Sequence, residues 1–334
     1  MKTIAGTLAA PFPYFGGKSN ACELVWSLLG QPDNYVEPFA GSAAMILGRP
    51  DGGGVETIND FDGFVANFWR AISKDPSLVA FHADWPVNET DLLARHSWLV
   101  RQADSLRDAL HDPDYYDAKI AGWWCWGACN WIGSGWCSGG GPWVWDGEKI
   151  VDSRQLPHLG DAGKGIKRQL PHLGDAGQGI NRKLPHLSAG RGEYIAEWFN
   201  LLYARLRDVR VACGDWKRVC KDSVTTRHGL TGIFLDPPYD KGAMDYGAGG
   251  MGLGISAQVR EWCAANGDNK QLRIVICGHA GEHDDLLRLG WKLHSWTARK
   301  GYALTDEAKE NSSSETVWAS PYCLNATNTQ DALF

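Results

Sequence analysis

The word Asp236-Pro237-Pro238-Tyr239 follows directly on the apolar run Gly232-Ile233-Phe234-Leu235. A short run of this kind reads as a buried parallel strand, and open α/β sheets bind ligands at the carboxyl ends of such strands. Each residue type in the word suits a planar amino group on a heterocycle. Proline fixes φ and removes a backbone N–H, so the carbonyls around Pro237 and Pro238 meet a substrate amine with no competing donor. The Asp236 carboxylate accepts one N–H of that amine, and the Tyr239 ring stacks on the heterocycle. The same four residues also describe a plain proline-rich turn, so context has to decide between the two.

Two elements must position that word. Tyr35-Val36-Glu37-Pro38-Phe39-Ala40-Gly41-Ser42 reads as a strand ending in a small-residue turn, followed by the helical run Ala43 to Leu47. A strand, a tight turn and a helix N-terminus form the arrangement that cradles an adenosyl cofactor. Val55-Glu56-Thr57-Ile58-Asn59-Asp60 reads as a second strand ending in an acid, about twenty residues beyond the glycine turn, where a carboxylate grips ribose hydroxyls. The GxGxxG form is absent, which disfavours a nicotinamide dinucleotide. Upstream, Phe12-Pro13-Tyr14-Phe15-Gly16-Gly17-Lys18 offers a close-approach glycine turn and a lysine placed to meet a carboxylate. The expected fold is α/β and Rossmann-like, a mostly parallel sheet with helices on both faces. Strands are expected near 35–39, 55–59, 209–212, 232–235, 273–277, 291–296 and 316–320.

Composition sets the class. The 334 residues, 44% apolar and 22% charged, suffice for one large domain with an insertion or for two domains. The amino-terminal segment is too short and too weakly apolar for a signal peptide, and no apolar run reaches membrane-spanning length, so a cytoplasmic protein is expected. Nine cysteines, an odd number without a CxxC pair, argue against a disulfide framework. Cys125, Cys129 and Cys137, like His279 and His283, lack the spacing or the partners of a metal site, and no metal is expected.

The net charge of −6 does not advertise a nucleic-acid binder, yet a local basic stripe does exist. Between Arg154 and Arg191 seven basic residues, among them Arg154, Lys164, Lys167, Arg168, Arg182 and Lys183, face only two acids. The stripe coincides with a 14-residue repeat, Gln155 to Arg168 and Gln169 to Arg182, with a partial third copy from Lys183. A proline and three glycines per unit exclude regular helix. The repeat reads either as a DNA-contacting arm or as a duplicated solvated loop. Before it lies a tryptophan-rich stretch from Gly122 to Trp145, most of whose rings are expected to be buried, with Asn130 and neighbouring glycines in a loop able to reach a groove.

In combination these words resemble the Dam-type DNA adenine-N6 methyltransferases, including their phage-borne members. The likeness runs in order from the Gly-Gly-Lys word through Glu37-Pro38-Phe39-Ala40-Gly41 and Asn59-Asp60 to Asp236-Pro237-Pro238-Tyr239, around a variable target-recognition region. The resemblance implies S-adenosylmethionine as cofactor and double-stranded DNA as partner. It implies that Tyr14, Phe15, Gly17 and Lys18 contact the methionine part of the cofactor, that Glu37 to Ser42 line its pocket, and that Asp60 binds the ribose. Asp215 and Trp216 would lie beside the adenine. It also implies a catalytic part over 1–80 and 206–334, interrupted by a recognition insertion over 81–205.

The chemistry expected at the site is transfer of a methyl group to N6 of an adenine rotated out of the duplex. The stretch after the Asp-Pro-Pro-Tyr word would form a flap carrying Tyr246 as a second ring against that base. A methyltransferase of another planar amine (cytosine N4, an RNA base or a glutamine amide) and a non-catalytic DNA-binding relative are the alternatives. The target sequence and the choice between monomer and homodimer stay open.

Overall fold

The computed structural model describes residues 8–14, 18, 21–50, 53–131, 135–137, 143–145, 150–152, 191–238, 254–295 and 315–324. In chain order the helices are α1 (Cys22–Leu29), α2 (Ala44–Leu47), α3 (Gly63–Ile72), α4 (Pro76–Ala83), α5 (Glu89–Ala109), α6 (Ala118–Asn130), α7 (Arg191–Leu206) and α8 (Ile255–Asn266). The strands are β1 (Asn34–Glu37), β2 (Val55–Asp60), β3 (Trp143–Trp145), β4 (Ile150–Asp152), β5 (Arg210–Cys213), β6 (Thr231–Leu235), β7 (Leu272–His279), β8 (Lys292–Ser295) and β9 (Glu315–Ala319).

Seven strands form one sheet in the order β5-β2-β1-β6-β7-β9-β8, and β3 and β4 pair separately as an antiparallel hairpin. Strands β5, β2, β1, β6 and β7 run parallel, and β9 runs against both of its neighbours. The protein is therefore α/β with a mostly parallel mixed sheet, and all seven expected sheet strands are found. From β1 the chain builds outward through β2 to β5 on one side, then returns to build β6 and β7 on the other. β1 and β6 thus flank the point where strand order reverses, the crevice in which open α/β sheets take their ligands.

Period-two alternation divides the central strands between two apolar layers. Tyr35, Phe234, Val275, Cys277 and Val317 enter the larger layer, with α1, α3, α4, α6 and α7. Val36, Ile233, Leu235, Ile274, Ile276 and Trp318 enter the smaller one, covered by Val259 and Cys263 of α8 and by Trp216, Leu286 and Trp291. Residues from the 81–205 interval, including Leu99, Ile120, Trp124 and Trp198, share the larger layer with Phe68 and Trp69 of α3. Helix α7 is also tied to the sheet by charge. Arg205 makes a two-pronged contact with Glu56 of β2, at 2.7 and 2.8 Å, and Arg49 meets the same carboxylate at 2.9 Å.

Four helices begin on an Asx residue whose side chain accepts a backbone N–H: Asp62 for α3, Asp75 for α4, Asn88 for α5 and Asp117 for α6. Each such cap contributes about 1 kcal/mol. Pro76 follows its cap at the first helical position, where no N–H is needed. Among the described residues no helix is long and apolar enough to cross a membrane.

Candidate functional site

The turn after β1 is the pivot of the site. Gly41 has φ +46° and Ala43 φ +53°, and the Ala43 N–H donates to the Ala40 carbonyl at 2.6 Å. The Tyr14 ring lies against Gly41 so closely that a Cβ there would run into it. Three further contacts hold the turn in place. The Gly41 N–H donates to Asp60 Oδ2 at 2.8 Å, Trp69 Nε1 donates to the Gly41 carbonyl at 2.9 Å, and the Ala40 N–H donates to the Asn59 carbonyl at 2.9 Å.

Strand β2 supplies Asn59 and Asp60 because its pairing with β1 carries its last residues past the β1 terminus. Asn59 Nδ2 donates to the carbonyls of Pro38 and Gly214, both at 2.9 Å, stitching the ends of β1, β2 and β5 together. Half-buried Asp60 accepts from the Gly41 N–H with one oxygen and from the Asp62 N–H, at 2.9 Å, with the other. Burial, then the nearby Asp62 carboxylate, push its pKa up to about 7, against the pull of those backbone donors.

Glu37 ends β1 fully buried. Its Oε2 accepts from the Tyr35 hydroxyl at 3.1 Å and from the Ile46 N–H at 3.2 Å. Burial raises its pKa to about 8; the Tyr35 and Ile46 donors oppose this, and the charge of Asp236 adds to it. Asp236 leaves the carboxyl end of β6, whose Ile233 lies opposite Val36 in the β1 pairing. Lys18 Nζ, 4% exposed, stands 3.5 Å from Asp236 Oδ1. Pro237 is buried beside it and Pro238 half-buried.

On the β5 side, Asp215 is exposed and caps a short 3-10 turn by accepting the Lys217 N–H at 2.7 Å. That turn holds Trp216 beneath Phe39, with ring centres 6.0 Å apart and planes inclined by 35°. Trp216 Nε1 is buried and has no acceptor among the described residues.

The structure thus brings Tyr14, Lys18, Glu37, Pro38, Phe39, Ala40, Gly41, Ser42, Asn59, Asp60, Trp216, Asp236 and Pro237 to one end of the sheet, around the β1–β6 crevice. Lys18 meets a carboxylate, as its type suggests, but that carboxylate is Asp236. Asn130 is placed differently from the expected groove-facing loop. It is the last residue of α6, 4% exposed, with its amide donating to the Trp126 carbonyl, because the apolar helix Ala118–Asn130 runs on through it. Trp124, Trp126 and Trp131 are buried as expected, while Trp123 and Trp136 are half-buried. Phe15, Gly17, Tyr239, Tyr246, Arg154, Lys164, Lys167, Arg168, Arg182 and Lys183 lie outside the described residues.

Sequence reasoning missed Asp62 and Trp69. Asp62 was open to discovery, since Asp62-Gly63 before an apolar helical run is a capping signal. The bond from Trp69 to Gly41 crosses 28 positions and leaves no local trace. Compared with known proteins, the chain matches no protein-family model and no curated protein.

Proposed function

We propose that this protein is an S-adenosylmethionine-dependent DNA methyltransferase acting on N6 of an adenine turned out of double-stranded DNA. The observation that carries the reading is the juxtaposition, at the point of strand reversal, of Asp236-Pro237 on β6 with the Gly41 turn on β1. The order of the sheet, with a reversed strand between β7 and β8, agrees with the Rossmann-like architecture expected for this class.

The residues present fit the cofactor. Gly41 gives a tight turn against which the Tyr14 ring packs, setting that ring beside the proposed cofactor site. Asp60 keeps lone pairs beyond the two bonds it accepts, enough for ribose hydroxyls. Half-buried Phe39, backed by the buried Trp216, offers apolar ring surface for a purine. Asp236 faces Lys18, and the raised pKa values of Glu37 and Asp60 leave two carboxyl groups that gain negative charge when a positively charged ligand settles beside them. S-adenosylmethionine, when bound, supplies an electrophilic methyl group on a positively charged sulfur.

The protein's part is positioning and the placement of acceptors. Asp236 and the Pro237 carbonyl accept the two hydrogens of the adenine amino group, which turns its lone pair away from the ring and toward the methyl group. Tyr239 stacks on the everted base. Lys18 holds the Asp236 carboxylate in place. Contacts with the everted base offset the few kcal/mol that unstacking costs. Fixed acceptors and orientation provide the acceleration without a covalent enzyme intermediate. The basic stripe from Arg154 to Arg191 is the part of the chain suited to neutralising phosphates.

The test is to incubate the protein with unmethylated duplex DNA and cofactor and to map modified bases. N6-methyladenine at a defined sequence is expected, and Asp236→Ala should abolish it while leaving much of the duplex affinity. Methyl transfer to adenine by the Asp236→Ala variant, or modification of cytosine alone, would overturn the reading.

A further inference from the structure

Between α4, α5 and α6 lies a half-open cavity of about 630 Å³, lined among others by Phe81, Trp85, Arg95, Trp98, Arg101 and Trp123. Arg95 is 6% exposed, and its guanidinium carbon lies 4.5–4.7 Å from the ring centres of Trp85, Trp123 and Trp126. Among the described residues no acceptor hydrogen-bonds to it, and its Nη1 is buried without a partner. A guanidinium presents five donors, and leaving even one of them unmatched in a buried place costs more than for a neutral group. An acceptor for Nη1 is therefore what the described residues do not supply.

The lining narrows the ligand. Arg95 and Arg101 stand against Asp84 and Asp91, and Lys119 Nζ lies over the Trp98 and Trp123 rings, so the charges leave a small positive surplus and a free cation is not favoured. A cation would also have to compete with Arg95, which already occupies the centre of the indole cage. The walls are flat rings. A planar ring with two acceptors on one edge, carried on a chain of phosphates, suits both the rings and the positive surplus. The guanidinium fork matches O6 and N7 of guanine, and unpaired bases stack on aromatic side chains.

We propose that this cavity takes a guanine base presented by an unpaired stretch of nucleic acid, stacked on the indole walls with Arg95 as its donor fork. The proposal rests on the DNA partner proposed above and adds that a stretch of that DNA beside the everted adenine is unpaired, giving it a second point of base contact on the α4–α6 face rather than at the β1–β6 crevice.

The test is fluorescence anisotropy of labelled oligothymidylate against strands of equal length carrying a single central guanine, adenine or cytosine, at fixed salt and without cofactor. Equal length keeps the phosphate contribution constant. A single guanine is expected to tighten binding about tenfold, and adenine or cytosine far less. Trp85→Ala, on the 42% exposed rim and so compatible with folding, should lose the increment while oligothymidylate binding is retained. Arg95→Lys should remove the preference for guanine. Equal affinity of the wild-type protein for strands with and without guanine, or an undiminished increment in Trp85→Ala, overturns the proposal. The guanine increment should persist in Asp236→Ala, so its failure and a failure of methyl transfer are read separately.

Discussion

Lys18 and Asp236 are separated by most of the chain, yet Nζ of one lies 3.5 Å from Oδ1 of the other, with the lysine 4% and the aspartate 20% exposed. Removing one partner of such a pair leaves a charge in a place of low dielectric, which costs more than removing both. In urea unfolding, Lys18→Met and Asp236→Asn should each destabilise the protein. The double variant should lose less than their sum, by a coupling of about 1–3 kcal/mol. Strict additivity would mean that the pair contributes nothing to the fold.

The contact of Tyr14 with Gly41 predicts a separable effect. Gly41→Ala drives a methyl group into the Tyr14 ring and should cost about 1–3 kcal/mol of stability, as overpacking does. The same variant should weaken cofactor binding by about tenfold in calorimetry. Adding Tyr14→Ala gives the new methyl group room, so thermal stability should recover in part, the rest of the loss being the strain of alanine at φ +46°. Cofactor affinity should stay low, since Tyr14 is proposed to contact the methionine part.

Glu37 predicts the direction of a pH effect. Its folded pKa of about 8 stands above the ordinary 4.5, so between those values the folded chain binds a proton that the unfolded chain has released. Stability from this group is therefore present in full below about pH 4.5 and lost as pH rises toward 8. Asp60, raised to about 7, adds to the same trend. His96, which burial lowers to about 4, acts in the opposite direction, costing stability as pH falls below 6.5. Glu37→Gln should flatten the alkaline side of the melting-temperature profile, by a difference on the order of a few kcal/mol across the window. An unchanged slope would show that another group titrates there.

Strands β6 and β7 were legible because each is a largely apolar run covered on both faces, which needs no partner information to be recognised, whereas the more polar β2 and the exposed β8 were marked by the glycines before them. The turn at Gly41 and the acid at Asp60 were legible from spacing alone. What the sequence hid was long-range. Nothing near Trp69 announces its bond to Gly41, and nothing near Arg95 announces three indole rings drawn from α6 and the segment after α4. The hairpin of β3 and β4 escaped notice because Trp143-Val144-Trp145 looks like the tryptophan-rich stretch before it and Ile150–Asp152 is only three residues long. Asn130 was misplaced for a related reason: the glycines that follow it suggested a loop, while the apolar helix before it continued through it.

The reversed strand β9 lies between β7 and β8 although it follows both in the chain. As the polypeptide emerges from the ribosome, β8 has no neighbour to dock on, and the Leu272–His279 border with its row of isoleucines and valine stays uncovered until residue 319 is clear. A nascent chain stalled in that interval would present a bare strand of the kind that recruits other chains, so pauses in translation there should show up as insoluble product.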